Sequence, residues 1–227
     1  IYIMEKELQQ KLMEQDRKID EILRYIRKEE LNKNQKKSLI NEFAEINTLD
    51  TFMKVKANAF GIGKVLFSFV KFDKNTMKLT ESMDVFMDMD DALLFSNDVL
   101  SGKIQALAVN EKAKGDKYPK AIWSTKLGGV NEEKVKNRGL RTDGKAISRL
   151  FNLAPGARQP FVFTAEQRPG HSDEKGLIQP EYTGKPEIQI RVACSADDLK
   201  KLAIAIQSNI NAYRAGQYAN KDFDTRF

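Results

Sequence analysis

The chain has 227 residues, 41% of them hydrophobic and 31% charged, with a formal net charge of +6 and a pI near 9.2. That length supports one large or two small domains with a real apolar core, and no apolar run approaches the roughly 20 residues that cross a bilayer. A start without a signal-peptide pattern and a single cysteine, Cys194, which excludes an intrachain disulfide, lead to the expectation of a cytoplasmic protein with no membrane partner.

Taken in chain order, residues 4–30 predict one long helix. Leu12, Ile19 and Ile26 fall on heptad a positions, and Leu8, Gln15 and Ile22 on d positions, a pattern of about three heptads. It suits either a short coiled coil that brings copies of the chain together or a helix laid on the core. Residues 32–37 interrupt it, and Leu39, Ile40, Phe43 and Ile46 suggest a second helix over 38–46. Residues 1–50 are therefore expected to form an N-terminal helical segment. From residue 51 the apolar period becomes two, the signature of strands. Strands are predicted at Phe52–Phe60, Lys64–Phe72 and Lys78–Asp88, the second central because it is apolar on both faces. A helix over 89–100 stops at Gly102, a natural residue to follow a helix. Residues 110–120 read as a polar connection, Ala121–Leu127 as a strand around Trp123, and Gly128 to Gly144 as a basic loop. Further strands are predicted at Lys145–Leu153, Phe161–Gln167 and Pro186–Cys194, with a long loop over 168–185. A last helix runs from Ala196 to about Tyr213, and 216–227 reads as a flexible tail.

One unit occurs twice. Met83, Val85 and Met87 align with Ile190, Val192 and Cys194 as apolar alternation, and Asp88 aligns with Ser195 at a helix start. Asp90-Asp91 then aligns with Asp197-Asp198, and Ala92, Phe95 and Val99 align with Leu199, Leu202 and Ile206 at helical spacing. Each copy is a half-buried strand entering an N-capped amphipathic helix. The expected fold is α+β: two antiparallel sheets over 51–215, each closed by a helix as an internal pseudo-duplication, preceded by the N-terminal helices.

Gly144-Lys145-Ala146-Ile147-Ser148 carries a Gly-Lys-Ala start to a strand, and Phe151-Asn152-Leu153 is followed by Ile188–Cys194 and an apolar final helix. Across roughly residues 52–213 this layout resembles the Whirly and PC4-like family of single-stranded nucleic-acid-binding proteins, mostly as topology. The resemblance implies two four-stranded sheets, each followed by a helix, in one pseudo-symmetric domain. It also implies exposed aromatic and basic strand residues that hold unpaired bases, often in a dimer or tetramer. The sequence departs from that pattern by one predicted strand fewer in its first half and by the extra N-terminal helices.

The residues themselves suit the same partner. Residues 103–141 hold ten Lys/Arg against four acids, a localised excess that reads either as an electrostatic footprint for nucleic acid or as a solvated linker. Single strands need cations for the backbone and aromatics for stacking. The candidate contacts on or beside strands are Lys64, Lys71, Lys126, Lys145, Arg149, Arg158 and Arg168, with Trp123 as the stacking candidate. Phe67, Phe72, Phe151, Phe161 and Phe163 are interleaved with them, although an aromatic on a strand is more often core. The partner expected is single-stranded DNA or RNA, and self-association is expected through the N-terminal helix or the sheet edges. No catalytic residue, metal or cofactor is expected. His171 stands alone in a loop, Asp84, Asp88, Asp90 and Asp91 are explained largely by a helix start, and Gly61-x-Gly63-Lys64 lacks the spacing of a phosphate-binding loop. A nuclease-like use of those acids with His171 is the weakest reading. The main alternative is an accessory or inhibitor module that holds a protein partner through the N-terminal helices.

Overall fold

The structure, a computed structural model, describes residues 41–219. The chain divides between Asn41 and Glu42, and the helix expected over 4–30 and the tail from residue 220 lie outside the described residues. Over the described residues from Glu42 to Ala219 the protein is α+β, with two antiparallel sheets and four α-helices.

The first sheet is a meander of β1 (Glu42–Asn47), β2 (Thr51–Lys56), β3 (Lys64–Phe72) and β4 (Leu79–Asp88), in that spatial order. Its period-two residues supply one buried face: Met53 and Val55, then Val65, Phe67 and Phe69, then Met83, Val85 and Met87. β1 is a correction to the sequence reading, which placed a helix over 38–46. Ile46 is buried and pairs with Met53, so β1 provides the fourth strand that the sequence did not predict. β3 is central, as expected. α1 (Met89–Leu100) follows β4 without a break.

A second helix, α2 (Lys103–Ala113), starts immediately after Gly102, where the sequence reading ended helical structure. The second sheet follows. β7 (Ala146–Pro155) and β8 (Phe161–Ser172) form its centre, with β10 (Ile188–Cys194) on the outer side of β8 and the short β5 (Trp123–Ser124) beside β7. β6 (Gly129–Val130) also pairs with β7, and β9 (Ile178–Pro180) pairs with β8 inside the stretch read as a long loop. The basic loop between Gly128 and Gly144 contains a third helix, α3 (Glu132–Asn137), capped by Asn131, whose Oδ1 accepts the Lys134 N–H at 3.0 Å. α4 (Ala196–Ala219) is the last described element, extends past Gly216 and packs against α1.

Each half is thus a four-stranded meander running into a helix: β1 to β4 with α1, then β5/β6, β7, β8 and β10 with α4. The two capped turns differ in detail. Ser195 Oγ accepts the Asp198 N–H at 3.1 Å while the Asp198 carboxylate accepts from the Ser195 N–H and hydroxyl, a reciprocal box. Asp88 occupies the equivalent place but makes no side-chain cap; its carboxylate accepts from Lys64 instead. The sheets meet through aromatics. Phe151 of β7 packs against Phe67 at 4.9 Å and Phe69 at 5.2 Å between ring centroids, both on β3. Thr51 Oγ1 of β2 donates to the Arg191 carbonyl of β10 at 2.8 Å, tying the sheets at a second point.

Candidate nucleic-acid interface

Two sheet edges face a common cleft. β4 is the edge of the first sheet, and β5 and β6 together form the edge of the second. β5 and β6 behave as one strand with a bulge. One more residue lies between Ser124 and Gly129 than between their β7 partners Asn152 and Ser148, while the Thr125 N–H donates to the Phe151 carbonyl and the Arg149 N–H to the Gly128 carbonyl on either side. A bulge re-aims side chains at a sheet edge, and the bulged stretch carries Lys126, which crosses to Asp91 on the first turn of α1 at 2.7 Å. Gly129 makes the close pairing possible. A Cβ there would lie 1.9 Å from the Ile147 carbonyl oxygen, and its φ of +147° is one that other residues rarely adopt.

The cleft between these edges has a volume of about 320 Å³ and is lined on one side by Asp84 to Asp88 with Asp91, and on the other by Thr125 to Val130, with Lys64 and Arg149 also in its lining. Three of the eight sequence candidates therefore meet here: Lys64, Lys126 and Arg149. Each has an acid near it. Lys64 Nζ donates to Asp88 at 2.6 Å. Lys126 is held by Asp91, whose carboxylate raises the lysine pKa. Arg149 has no carboxylate in hydrogen-bond contact; its Nε donates to Gln167 Oε1 at 2.9 Å. Burial pulls the Arg149 pKa down, and the charge of Asp84 opposes that effect. Asp84 itself accepts from Ser68 Oγ at 2.5 Å.

The other candidates are dispersed. Lys71 is at the far end of β3 beside Glu81 at 3.5 Å. Lys145 precedes β7 and contacts Glu181 at 2.6 Å. Arg158 is exposed in the β7–β8 turn. Arg168 lies on the outer face of the second sheet, where its Nε donates to Glu166 at 2.9 Å, a terminal nitrogen donates to the Gly184 carbonyl, and its plane sits 5.2 Å from the Tyr182 ring. Trp123 is half-buried, 4.4 Å from Phe95 and 5.5 Å from Phe151; it anchors β5 to the core and lines a shallow hollow beside Lys126. Phe67, Phe151, Phe161 and Phe163 are buried core.

The sequence reading overlooked Phe86. It stands on the outer face of β4 between Asp84 and Asp88, is 52% exposed and lines the cleft. Its signal was present, since it falls on the polar phase of the Met83-Val85-Met87 alternation, where an aromatic has no core to enter. The basic stretch resolves into helix surfaces. Lys134, Lys136 and Arg138 are exposed on and just after α3, directly following the cleft wall at Val130. Glu132 fixes α3 to β8, accepting from the Ser172 N–H at 2.7 Å and its hydroxyl at 2.6 Å. Arg141 is held by Asp143 and Glu187, which raise its pKa, while the Arg141 guanidinium holds the Asp143 carboxyl well below the usual carboxylate range.

No known family profile matches this sequence, and no curated protein is similar to it. Among the described residues no group of three His, Cys, Asp or Glu side chains converges as a metal site, and no helix is long and apolar enough to cross a membrane. Chemically, the cleft brings three cations and three aspartates together beside an exposed ring and two strand edges.

Proposed function

We propose that this protein binds single-stranded DNA or RNA without catalysing a reaction, through the cleft between the two sheet edges. The observation that carries this reading is the repeated architecture, two four-stranded meanders each ending in a helix, which is the arrangement the Whirly-like resemblance implies. The cleft chemistry supports it. Lys64, Lys126 and Arg149 suit backbone phosphates, Phe86 suits a base, and the unpaired edges of β4 and β5/β6 add backbone groups. Lys134, Lys136 and Arg138 extend the positive surface beyond Val130. Because Lys64 and Lys126 hold carboxylates in the free protein, each must exchange an aspartate for a phosphate, so affinity is moderate and salt-sensitive rather than extreme. We further place the protein in a reducing cytoplasm, consistent with its one buried thiol, and expect it to self-associate through the N-terminal helix or free sheet edges.

Fluorescence anisotropy with a labelled single strand, the same sequence as a duplex, and an RNA strand tests this at low and high salt. The proposal expects preference for single strands and affinity that falls as salt rises. Equal or stronger binding to duplex, or no binding at low salt with micromolar protein, would overturn it.

A further inference from the structure

A cation that the fold partly desolvates without a carboxylate in hydrogen-bond contact is prepared for an anion from outside. Arg149 is the one strand cation of the cleft in that condition. It is half-buried in β7, and the bond to Gln167 is the only hydrogen bond its guanidinium makes among the described residues. Gln167 is itself fixed: its Nε2 donates to Glu187 Oε2 at 3.3 Å, and Glu187 also accepts from Arg141. That chain holds the amide oxygen on the Nε side of Arg149 and leaves the two terminal nitrogens without a hydrogen-bond partner among the described residues. Those nitrogens are not sealed, because Ser148 Oγ is the only buried side-chain polar atom without a hydrogen bond among the described residues. Arg149 lines the cleft together with Phe86, Lys64 and Lys126. A planar guanidinium fixed through Nε presents a fork matched to a phosphate.

Resting on the single-strand reading above, we propose that Arg149 is the primary phosphate receptor of the cleft, gripping one backbone phosphate through its terminal nitrogens while the adjoining base lies on Phe86. The cleft then takes one anchored nucleotide. Arg149 gains its anion without breaking an ion pair, although the Asp84 charge lies nearby, whereas Lys64 and Lys126 must release Asp88 and Asp91. The order of importance follows: removing Arg149 costs more than removing either lysine, although both lysines are the more exposed cations.

The test is binding of a labelled oligothymidylate to the full chain across a salt series, for wild type, Arg149→Met, Arg149→Lys, Lys64→Met, Lys126→Met and Phe86→Ala. Losing one phosphate contact should lower the slope of log affinity against log salt by ~0.7 for a single strand, and Arg149→Met should weaken binding about tenfold at low salt, as expected for a charge-assisted hydrogen-bond pair. Arg149→Lys should keep the slope and bind several-fold more weakly, because the charge remains and the fork is lost. Phe86→Ala should weaken binding without changing the slope. Arg149→Lys also preserves the test if the methionine variant does not fold, as judged by Trp123 fluorescence. Wild-type affinity and slope in both Arg149 variants, or a larger loss in Lys64→Met than in Arg149→Met, would overturn this assignment while leaving the single-strand reading standing. A wild-type protein that binds no oligothymidylate overturns the single-strand reading itself.

Discussion

Replacing Phe151 with alanine should destabilise both sheets at once. The ring is fully buried and lies among four others: Phe67 and Phe69 from the first sheet, and Trp123 and Phe163 from the second, at centroid distances of 4.9, 5.2, 5.5 and 6.0 Å. Truncating a buried phenylalanine costs about 3–5 kcal/mol, and a site bordered by rigid rings on two sheets collapses poorly, which favours the upper part of that range. At roughly 2–4 °C per kcal/mol for a domain of this size, the melting temperature should fall by roughly 10 °C or more. Phe151→Leu keeps most of the volume and should cost about 1 kcal/mol. Urea denaturation followed by far-UV circular dichroism and by fluorescence of the single tryptophan measures the losses in stability, and a thermal melt followed by the same two signals measures the shift in melting temperature. Because Trp123 sits in the second sheet and stacks on the Phe151 cluster, the two signals should change together in wild type and variant. A loss below about 1 kcal/mol for Phe151→Ala, or a tryptophan transition separate from the dichroism transition, would refute a shared core joining the sheets.

The paired helix starts should respond unequally: Ser195→Ala removes a reciprocal cap and should cost about 1 kcal/mol in urea denaturation, whereas Asp88→Ala, which makes no cap, should cost clearly less. Gly129→Ala forces a Cβ against the Ile147 carbonyl, so β6 should detach, and hydrogen exchange at Arg149, whose N–H donates to the Gly128 carbonyl, should accelerate. Burial, helped by the nearby charge of Asp198, pushes the Cys194 thiol from its ordinary 9.0 up to about 12. The folded state therefore holds the proton more tightly than the unfolded chain, so this contribution is complete below pH 9.0 and is lost as pH rises toward about 12. Denaturation at stepped pH should show that decline, Cys194→Ala should lessen it, and native protein should resist alkylation at neutral pH.

Much of the architecture was legible because the apolar period changes cleanly. β3, β4, β10, α1 and α4 each carry an uninterrupted pattern, and the repeat of Met83–Val99 at Ile190–Ile206 pointed to two sheet-plus-helix halves. The elements that went unread have local physical reasons. β1 is an edge strand whose register shifts between Glu42 and Ala44, which breaks the period of two and lets Phe43 and Ile46 pass for a helical pair. Gly102, at φ +81°, both ends α1 and precedes α2, so a stop signal hid a start. α2 buries only Ile104, Ala108 and Glu111 and exposes Leu107 and Val109, leaving no stripe to see. α3 announced itself only through Asn131 and the acids Glu132 and Glu133. In β8, Pro169 and Gly170 read as strand breakers, yet Pro169 sits opposite Ile147 within the ladder and accepts the Glu181 N–H through its carbonyl. At the cleft the residue types were visible but their partners were not. Asp91 and Lys126, or Arg149 and Gln167, lie far apart in the chain, and only the folded sheet edges bring each pair into contact.

Photo-crosslinking of the full chain to a bromouridine-containing single strand, followed by peptide mapping, tests where and whether a strand is held. The account predicts crosslinks on the β4 peptide carrying Phe86 and on the Trp123–Val130 segment, suppressed by added salt and by Arg149→Met. Crosslinks confined to residues 1–41 or 220–227, or none under conditions where the protein is folded, would contradict it.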